Sequence, residues 1–366
     1  MERPVQAAVQ SATIRRKKML EGVVPFPPEY ARRYREKGYW KDKSLAQEFA
    51  AVFDNYADRV AFIDGERSYT YAWMDQATDR LALNLLDIGL KPLDRVVVQL
   101  PNVIEFVILY FALQKIGCIP IAALSSHRYQ EVSQFVALSG ATACVSPDRQ
   151  GDFDFQEMMA RVQKQSPFLK HRIVLGKPES GFHSLRDLID TPPAHPDRSR
   201  LEAIDIDPTD PAVFQLSGGT TGIPKLIPRT HNDYAYNSKI AAKVCRIESH
   251  HVLLVILPIA HNLPLACPGI QGFMFQGAKV VLLASTRPED VCAAIQQNGV
   301  THIKVVPALL IRLLNDPVLG QYDLSSLKVI QSGGQRLQPE VRMLAKRLIP
   351  SAFIQENFGM GEGLLF

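Results

Sequence analysis

The chain has 366 residues, 46% hydrophobic and 21% charged, with 41 basic against 37 acidic side chains and a formal charge of +4. This balance excludes a disordered chain, a fibrous repeat and a small disulfide scaffold, and at roughly 150 residues per domain it suggests two or three domains with a sizeable core. Residues 1–43 hold eleven Lys or Arg against five Asp or Glu, so the remainder is slightly acidic and charge points to no nucleic-acid partner.

In chain order, the basic run Arg15-Arg16-Lys17-Lys18 has no apolar stretch after it and is not a secretory signal. Only Glu2 is acidic in the first twenty residues, which leaves an organelle transit peptide as the alternative to a cytoplasmic location. The arm Pro25-Phe26-Pro27-Pro28-Glu29-Tyr30, with the basic and aromatic residues up to Trp40, is expected to wrap a domain surface rather than enter a core. Residues 61–64 and 68–71 read as a hairpin around Asp64-Gly65.

A strand over 96–99, a helix over 103–115, a strand over 118–122, a helix over 129–139 and a strand over 143–146 follow, a parallel-sheet rhythm. Residues 190–211, with five prolines and five aspartates, read as a linker. The rhythm then restarts with strands over 212–216, 252–257, 279–283, 302–306, 327–331 and 353–355, and helices over 232–245, 288–298, 308–315 and 339–348. The expected fold is α/β: two successive α/β subdomains with mostly parallel sheets, over 44–200 and 201–366, behind the arm over 1–43, plus a smaller β-rich subdomain. Ending at Phe366 just after a glycine-rich turn, the chain reads as a fragment.

Five cysteines (118, 144, 245, 267 and 292) with no CxxC pair argue for reduced thiols and against a zinc site. The longest apolar run, 252–260, is nine residues with a proline inside it, too short to span a bilayer, so no membrane partner is expected. No Ser-His-Asp order or nucleophile elbow supports hydrolase chemistry.

The strongest local signal is Ser217-Gly218-Gly219-Thr220-Thr221-Gly222-Ile223-Pro224-Lys225, read as following a strand and preceding a helix. Glycines let backbone N–H groups turn inward as an anion nest, while hydroxyls and Lys225 add donors and charge, a chemistry that suits a nucleoside triphosphate. Ile223 stands where a Walker A loop needs its second glycine, so a P-loop ATPase is disfavoured. The bland alternative is a surface turn. The pair His261-Asn262, in an apolar segment after a buried strand, is either a helix cap or a ligand wall.

Ser217 to Lys225, continued by Pro228-Arg229-Thr230-His231-Asn232-Asp233-Tyr234, resembles the signature of the adenylate-forming superfamily. Within it, this continuation and the arm Pro27-Pro28-Glu29-Tyr30 with Gly38-Tyr39-Trp40 are similar to the stand-alone aryl-acid AMP ligases of siderophore synthesis. The resemblance implies ATP-dependent conversion of an aryl carboxylic acid to aryl-AMP with release of pyrophosphate. Transfer to the phosphopantetheine thiol of an aryl carrier protein would follow, with ATP and Mg²⁺ as cofactors. It also implies a C-terminal lid domain that these residues lack, and hence poor activity.

By the same resemblance, Ser217, Gly218, Gly219, Thr220, Thr221, Gly222 and Lys225 would hold phosphates. Gly334, Gln335, Asn357 and Phe358 would hold adenine. His261, Asn262, Cys267, Gly333, Gly361 and Leu365 would hold the aryl acid. Lys225, His261 and Glu362 would be catalytic, Glu362 as the Mg²⁺ ligand. Gly361 stands where the superfamily usually has Thr, and Phe358 where it has Tyr.

Cys267 and Leu365 replace the Ser and Val typical of dihydroxybenzoate enzymes. A thiol is a weaker partner than a hydroxyl for a 3-hydroxyl on the ring, and an unpaired buried hydroxyl costs roughly 1–3 kcal/mol, which favours salicylate. A Cys267 that is merely small and buried is the alternative. 2,3-Dihydroxybenzoate, a generic acyl- or aryl-CoA synthetase and an inactive truncated binding fragment are the alternative functions.

Overall fold

The computed structural model describes residues 20–217 and 225–365. Two seven-stranded sheets, each largely parallel, are stacked with helices between and outside them. Side-chain alternation along each strand sets this layering. Leu253 and Val255 face the central core while Val252 and Leu254 face an outer one. In the other sheet Val96 and Val98 face the centre and Val97 the opposite outer layer.

Helix Ile104–Lys115 fills the middle; apolar around nearly its whole circumference, it is buried on all sides as such a helix must be. The outer layers are helices with one apolar face, among them Pro339–Leu348 and Phe155–Gln165. Among the described residues no helix is long and apolar enough to cross a membrane.

The sheets are not successive in the chain. Strand Val60–Asp64, with its hairpin partner Arg67–Thr70, joins the sheet built from the second half by pairing parallel to Lys279–Leu282. In exchange, strands Pro211–Leu216 and Leu226–Thr230 join the first-half sheet beside Ile119–Ala122. A division near residue 200 therefore splits both sheets. The expected smaller β-rich subdomain does not appear among the described residues, where the other strands form two short two-stranded ribbons.

The hairpin exchange also corrects the glycine-rich loop, which links two antiparallel strands rather than a strand and a helix. Strand Leu226–Thr230 contains Pro228 and lies at the sheet edge, where a missing N–H is tolerated.

Helices Leu45–Asn55, Tyr71–Asp87 and Phe155–Gln165 are not anticipated by the strand-helix rhythm. Each starts at a capping side chain: Ser44 with Gln47 in a capping box, Thr70, and Asp154. The stretch 190–211 is strapped down rather than free, because Arg198 and Arg200 pair with Asp75, Asp79 and Asp87 on helix Tyr71–Asp87.

The arm does wrap the surface. Helix Pro28–Glu36 buries no residue, although Trp40 beyond it is 5% exposed. Asp42 and Asn232 then exchange two hydrogen bonds of 2.9 Å, and the Leu45 N–H donates to His231 Nδ1, docking the arm on helix His231–Val244.

Asn102 ties the sheets together. It follows strand Arg95–Val98, donates from Nδ2 to the carbonyls of Leu257 and Leu283, and accepts from the Ile259 N–H. Those acceptors lie just past the carboxyl ends of two strands of the other sheet, so Asn102 sets where that sheet's loops begin.

Candidate active site

Parallel strands place their carboxyl-end loops on one side of the sheet, where ligands of open α/β sheets bind. Here the loops after Val252–Val255, His302–Val305, Val329–Gly333 and Phe353–Asn357 meet the end of Pro211–Leu216 from the other sheet. They enclose a cleft of about 600 Å³. Of the residues singled out in the sequence, Ser217, His261, Asn262, Cys267, Gly333, Gly334, Asn357, Gly361 and Glu362 line it.

Others are not brought in. Gln335 and Phe358 are exposed and outside the lining, Phe358 at 62% exposure. Lys225 is exposed and lines a separate depression together with Leu20 and Pro228. Gly218, Gly219, Thr220, Thr221 and Gly222 fall outside the described residues. Leu365 lies in a two-residue strand paired with Gly359. The base of the glycine-rich turn is closed by a pair of bonds: the Lys225 N–H donates to Ser217 Oγ at 2.9 Å and the Ser217 N–H to the Lys225 carbonyl at 3.1 Å.

Asn262 is not a helix cap. His261 holds the cap position of the short helix Asn262–Leu265 without a side-chain cap bond, and the Asn262 side chain turns inward. Its Oδ1 accepts from the Tyr234 hydroxyl at 2.9 Å, and its Nδ2 donates to Cys267 Sγ at 3.2 Å. Tyr234 in turn accepts from Gln215 Nε2, and Cys267 Sγ also accepts from Asn237 Nδ2 at 2.8 Å. This run from Gln215 to Asn237 fixes the wall of the cleft at its inner end.

Burial raises the Cys267 pKa above the ordinary thiol value, so the group is a neutral thiol despite the two amides donating to it. His261 stands at the mouth, still open to solvent, and the desolvating protein around it lowers its pKa.

Two glycines lie close to neighbouring side chains. A Cβ at Gly333 would meet Leu263 Cδ2 at 3.2 Å and close the slot toward Asn357. At Gly361 it would meet Ile227 Cδ1 at 2.8 Å, so Ile227 takes the room that a larger side chain would use. Glu362, on the turn that follows, presents an exposed carboxylate to the cleft. Among the described residues no group of three or more His, Cys, Asp or Glu is placed to hold a metal.

Sequence reasoning gave no role to Gln215, Tyr234, Asn237 or Arg229, although Arg229 and Tyr234 stand in the run that carries the resemblance. Tyr234 and Asn237 sit three apart on helix His231–Val244, a spacing that puts both on one face and was available as a signal. Arg229 is 1% exposed and paired with Asp233; nothing local marks it as buried.

The chain is 41% identical over 350 residues to "Salicylyl-CoA synthase / salicylate adenylyltransferase" of a Streptomyces species, covering 94% of this chain and 63% of that protein. It is 38% identical over 347 residues to "2,3-dihydroxybenzoate-AMP ligase" of Bacillus subtilis, covering 95% and 62%. The chain thus spans a little under two thirds of the length of these curated relatives. Among solved structures, the apo structure of Mycobacterium smegmatis MbtA superposes with a TM-score of 0.85 at 37% identity, covering 94% of this chain and 62% of that one. The family described as "AMP-binding enzyme" matches residues 49–366, nearly the whole of both sheets with their cleft, and the chain belongs to that family.

Proposed function

We propose that this chain carries the nucleotide and acid sites of an ATP-dependent aryl-acid AMP ligase, with salicylate as the favoured acid. The observation that carries the reading is the continuity of one cleft from Ser217, at the base of the glycine-rich turn, past Gly333 to Asn262 and Cys267. Ser217, the described residue of the phosphate turn that reaches the cleft, thus opens on the same space as a wall with oriented amides. The names of the two relatives support both salicylate and 2,3-dihydroxybenzoate as candidate acids.

In this reading the acid's carboxylate attacks the α-phosphorus of ATP, forming aryl-AMP and releasing pyrophosphate. The turn from Ser217 to Lys225 holds the phosphates by backbone and hydroxyl donors. Asn262, oriented by Tyr234, offers its amide to the acid's ortho hydroxyl and carboxylate. His261, held neutral by its lowered pKa, acts near the acyl phosphate as a hydrogen-bonding group rather than a cation. Gly334, Gln335, Asn357 and Phe358 serve adenine; the exposed Phe358 ring would be covered when the base stacks on it.

A single exposed Glu362 fits Mg²⁺ that arrives with the nucleotide's phosphates, since this ion commonly takes one or two carboxylates plus phosphate oxygens. When bound, it would neutralise charge developing on the phosphates.

The thiol that captures aryl-AMP is assigned to the phosphopantetheine of an aryl carrier protein, on the likeness of the arm and of Pro228 to Tyr234 to the stand-alone branch. Free CoA is the second reading, favoured by the Streptomyces relative's name. All five cysteines are free, which supports a reducing, cytoplasmic location.

Calorimetry with two non-hydrolysable acyl-adenylate analogues, salicyl and 2,3-dihydroxybenzoyl, tests this directly. Tighter binding of the salicyl compound, by about tenfold, is expected from the weak thiol partner. Equal or reversed preference overturns the acid assignment, and binding of neither overturns the aryl-ligase reading.

A further inference from the structure

Beneath the cleft lies a charge that the proposed chemistry does not use. Along the three strands His302–Val305, Val329–Gly333 and Phe353–Asn357, Ile303, Ile330 and Ile354 face the outer core. The opposite face therefore presents Lys304, Gln331 and Gln355, in register with one another. Two residues further along the same face, about 7 Å on, stand Gly333 and Asn357, both in the cleft lining. The polar row of Lys304, Gln331 and Gln355 thus lies one step below that lining on the same sheet face, and the carbonyl that Lys304 contacts belongs to Cys267, a lining residue.

Lys304 is 1% exposed. Its ammonium donates to the Cys267 carbonyl at 3.2 Å and to Gln331 Oε1, both neutral acceptors, so one of its three donors is unused. The other groups facing it are the thiols of Cys245 and Cys267, and no carboxylate pairs with it among the described residues. Burial draws its pKa down to about 8, which leaves it mostly protonated at neutral pH. A buried cation without a counter-ion is costly and uncommon.

One row up lies an acceptor that the adenine base would fill in the reading above. Asn357 is 9% exposed, lines the cleft, and its Oδ1 has no hydrogen-bond partner. The lower row therefore holds an unpaired cation and the lining above it an unfilled acceptor.

We propose that Lys304 is a specificity-determining residue of the acid pocket, forming an anion subsite that selects a ring bearing a second acidic group in addition to the carboxylate that reacts. The ligand class is an aryl acid with a further carboxylate, or an equally acidic phenol, on the edge turned toward the sheet. That group accepts from the free Lys304 N–H and supplies the missing counter-charge. This inference rests on the aryl-acid reading and refines it from salicylate itself to an acidic ring-substituted relative.

The test is calorimetric binding of the 366-residue chain to the salicyl-adenylate analogue and to a set of analogues carrying one extra carboxylate at each free ring position. At least one carboxylated analogue is expected to bind about tenfold or more tightly than the salicyl compound. Lys304→Met is expected to abolish that preference while holding or improving salicyl binding. Lys304→Gln, which keeps donors to Cys267 and Gln331, is the second variant should the first not fold, and is expected to lose the preference as well. Salicyl binding with no gain from any carboxylated ring, or a gain that survives loss of the lysine, overturns the subsite and leaves the aryl-ligase reading intact. Failure of every aryl analogue to bind the unsubstituted chain overturns both.

Discussion

Arg229, on the strand leaving the glycine-rich turn, donates from Nη1 to the carbonyl oxygen of Gly361 at 2.9 Å, one residue before Glu362. Its other donors form a fork on Asp233, Nε to Oδ2 at 2.5 Å and Nη2 to Oδ1 at 3.1 Å. One buried guanidinium therefore couples the hairpin that would hold phosphate to the turn that presents the only cleft carboxylate among the described residues.

Removing the fork is costly because Asp233 is left without its partner. Arg229→Met is expected to destabilise the chain by on the order of 3 kcal/mol. Arg229→Lys keeps the charge but cannot bridge Asp233 and Gly361 together. It is expected to fold with a modestly lower Tm and to bind ATP with Mg²⁺ several-fold more weakly. Thermal melts with calorimetry separate the two effects; unchanged nucleotide affinity in a folded lysine variant would show that the Gly361 contact does not position Glu362.

Cys267 accepts from two amides, so its replacement is read through them. Cys267→Ser introduces a hydroxyl that can donate to a ring substituent as well as accept from Asn237 and Asn262. Affinity for the 2,3-dihydroxybenzoyl analogue relative to the salicyl one is expected to rise about tenfold. An unchanged ratio, measured by calorimetry on both analogues, would mean that the thiol does not face the substituent.

Asn102 satisfies three backbone groups at the seam between the sheets with one buried amide. Asn102→Ala would strand those groups away from water, at an expected cost of about 2–4 kcal/mol. Denaturant melts should show a lower midpoint with an unchanged slope. A cost under about 0.5 kcal/mol would mean that the loops at the cleft are held elsewhere.

His231 and His302 are buried, and each has its pKa depressed to about 3 by desolvation. His231 Nδ1 accepts from the Leu45 N–H, a bond that only the neutral ring makes. A depressed folded-state pKa means that the unfolded chain binds more protons between the ordinary value near 6.5 and about 3. Their stabilising contribution is therefore complete above pH 6.5 and is lost as pH falls toward 3. Tm should drop steeply below pH 6, and His302→Gln should flatten part of that slope. An equal slope in the variant would assign the acid sensitivity to other groups.

Much of this molecule is legible in one dimension. Alternation in Val96–Val98 and Val252–Val255 fixes two-faced burial, and the helices 129–139, 288–298 and 339–348 have the bounds that their own apolar spacing and flanking glycines or prolines imply. The cleft residues Asn262, Cys267, Gly333 and Glu362 are also visible, through the likeness of the runs that hold them to the adenylate-forming family. The strand and helix features are local properties, written in side-chain period and turn chemistry.

What the fold alone decides is non-local. A strand's hydrogen-bonding edges do not encode which neighbour it takes, so the exchange of Val60–Thr70 for Pro211–Thr230 between the sheets has no signature in either segment. The same holds for the burial of Arg229 and Lys304, which no local pattern marks and tertiary packing alone produces. Tyr234 and Gln215 become a cleft wall only because the helix and strand that carry them converge on Asn262. Sequence determines which face of each element is buried; packing between distant elements determines what that burial surrounds.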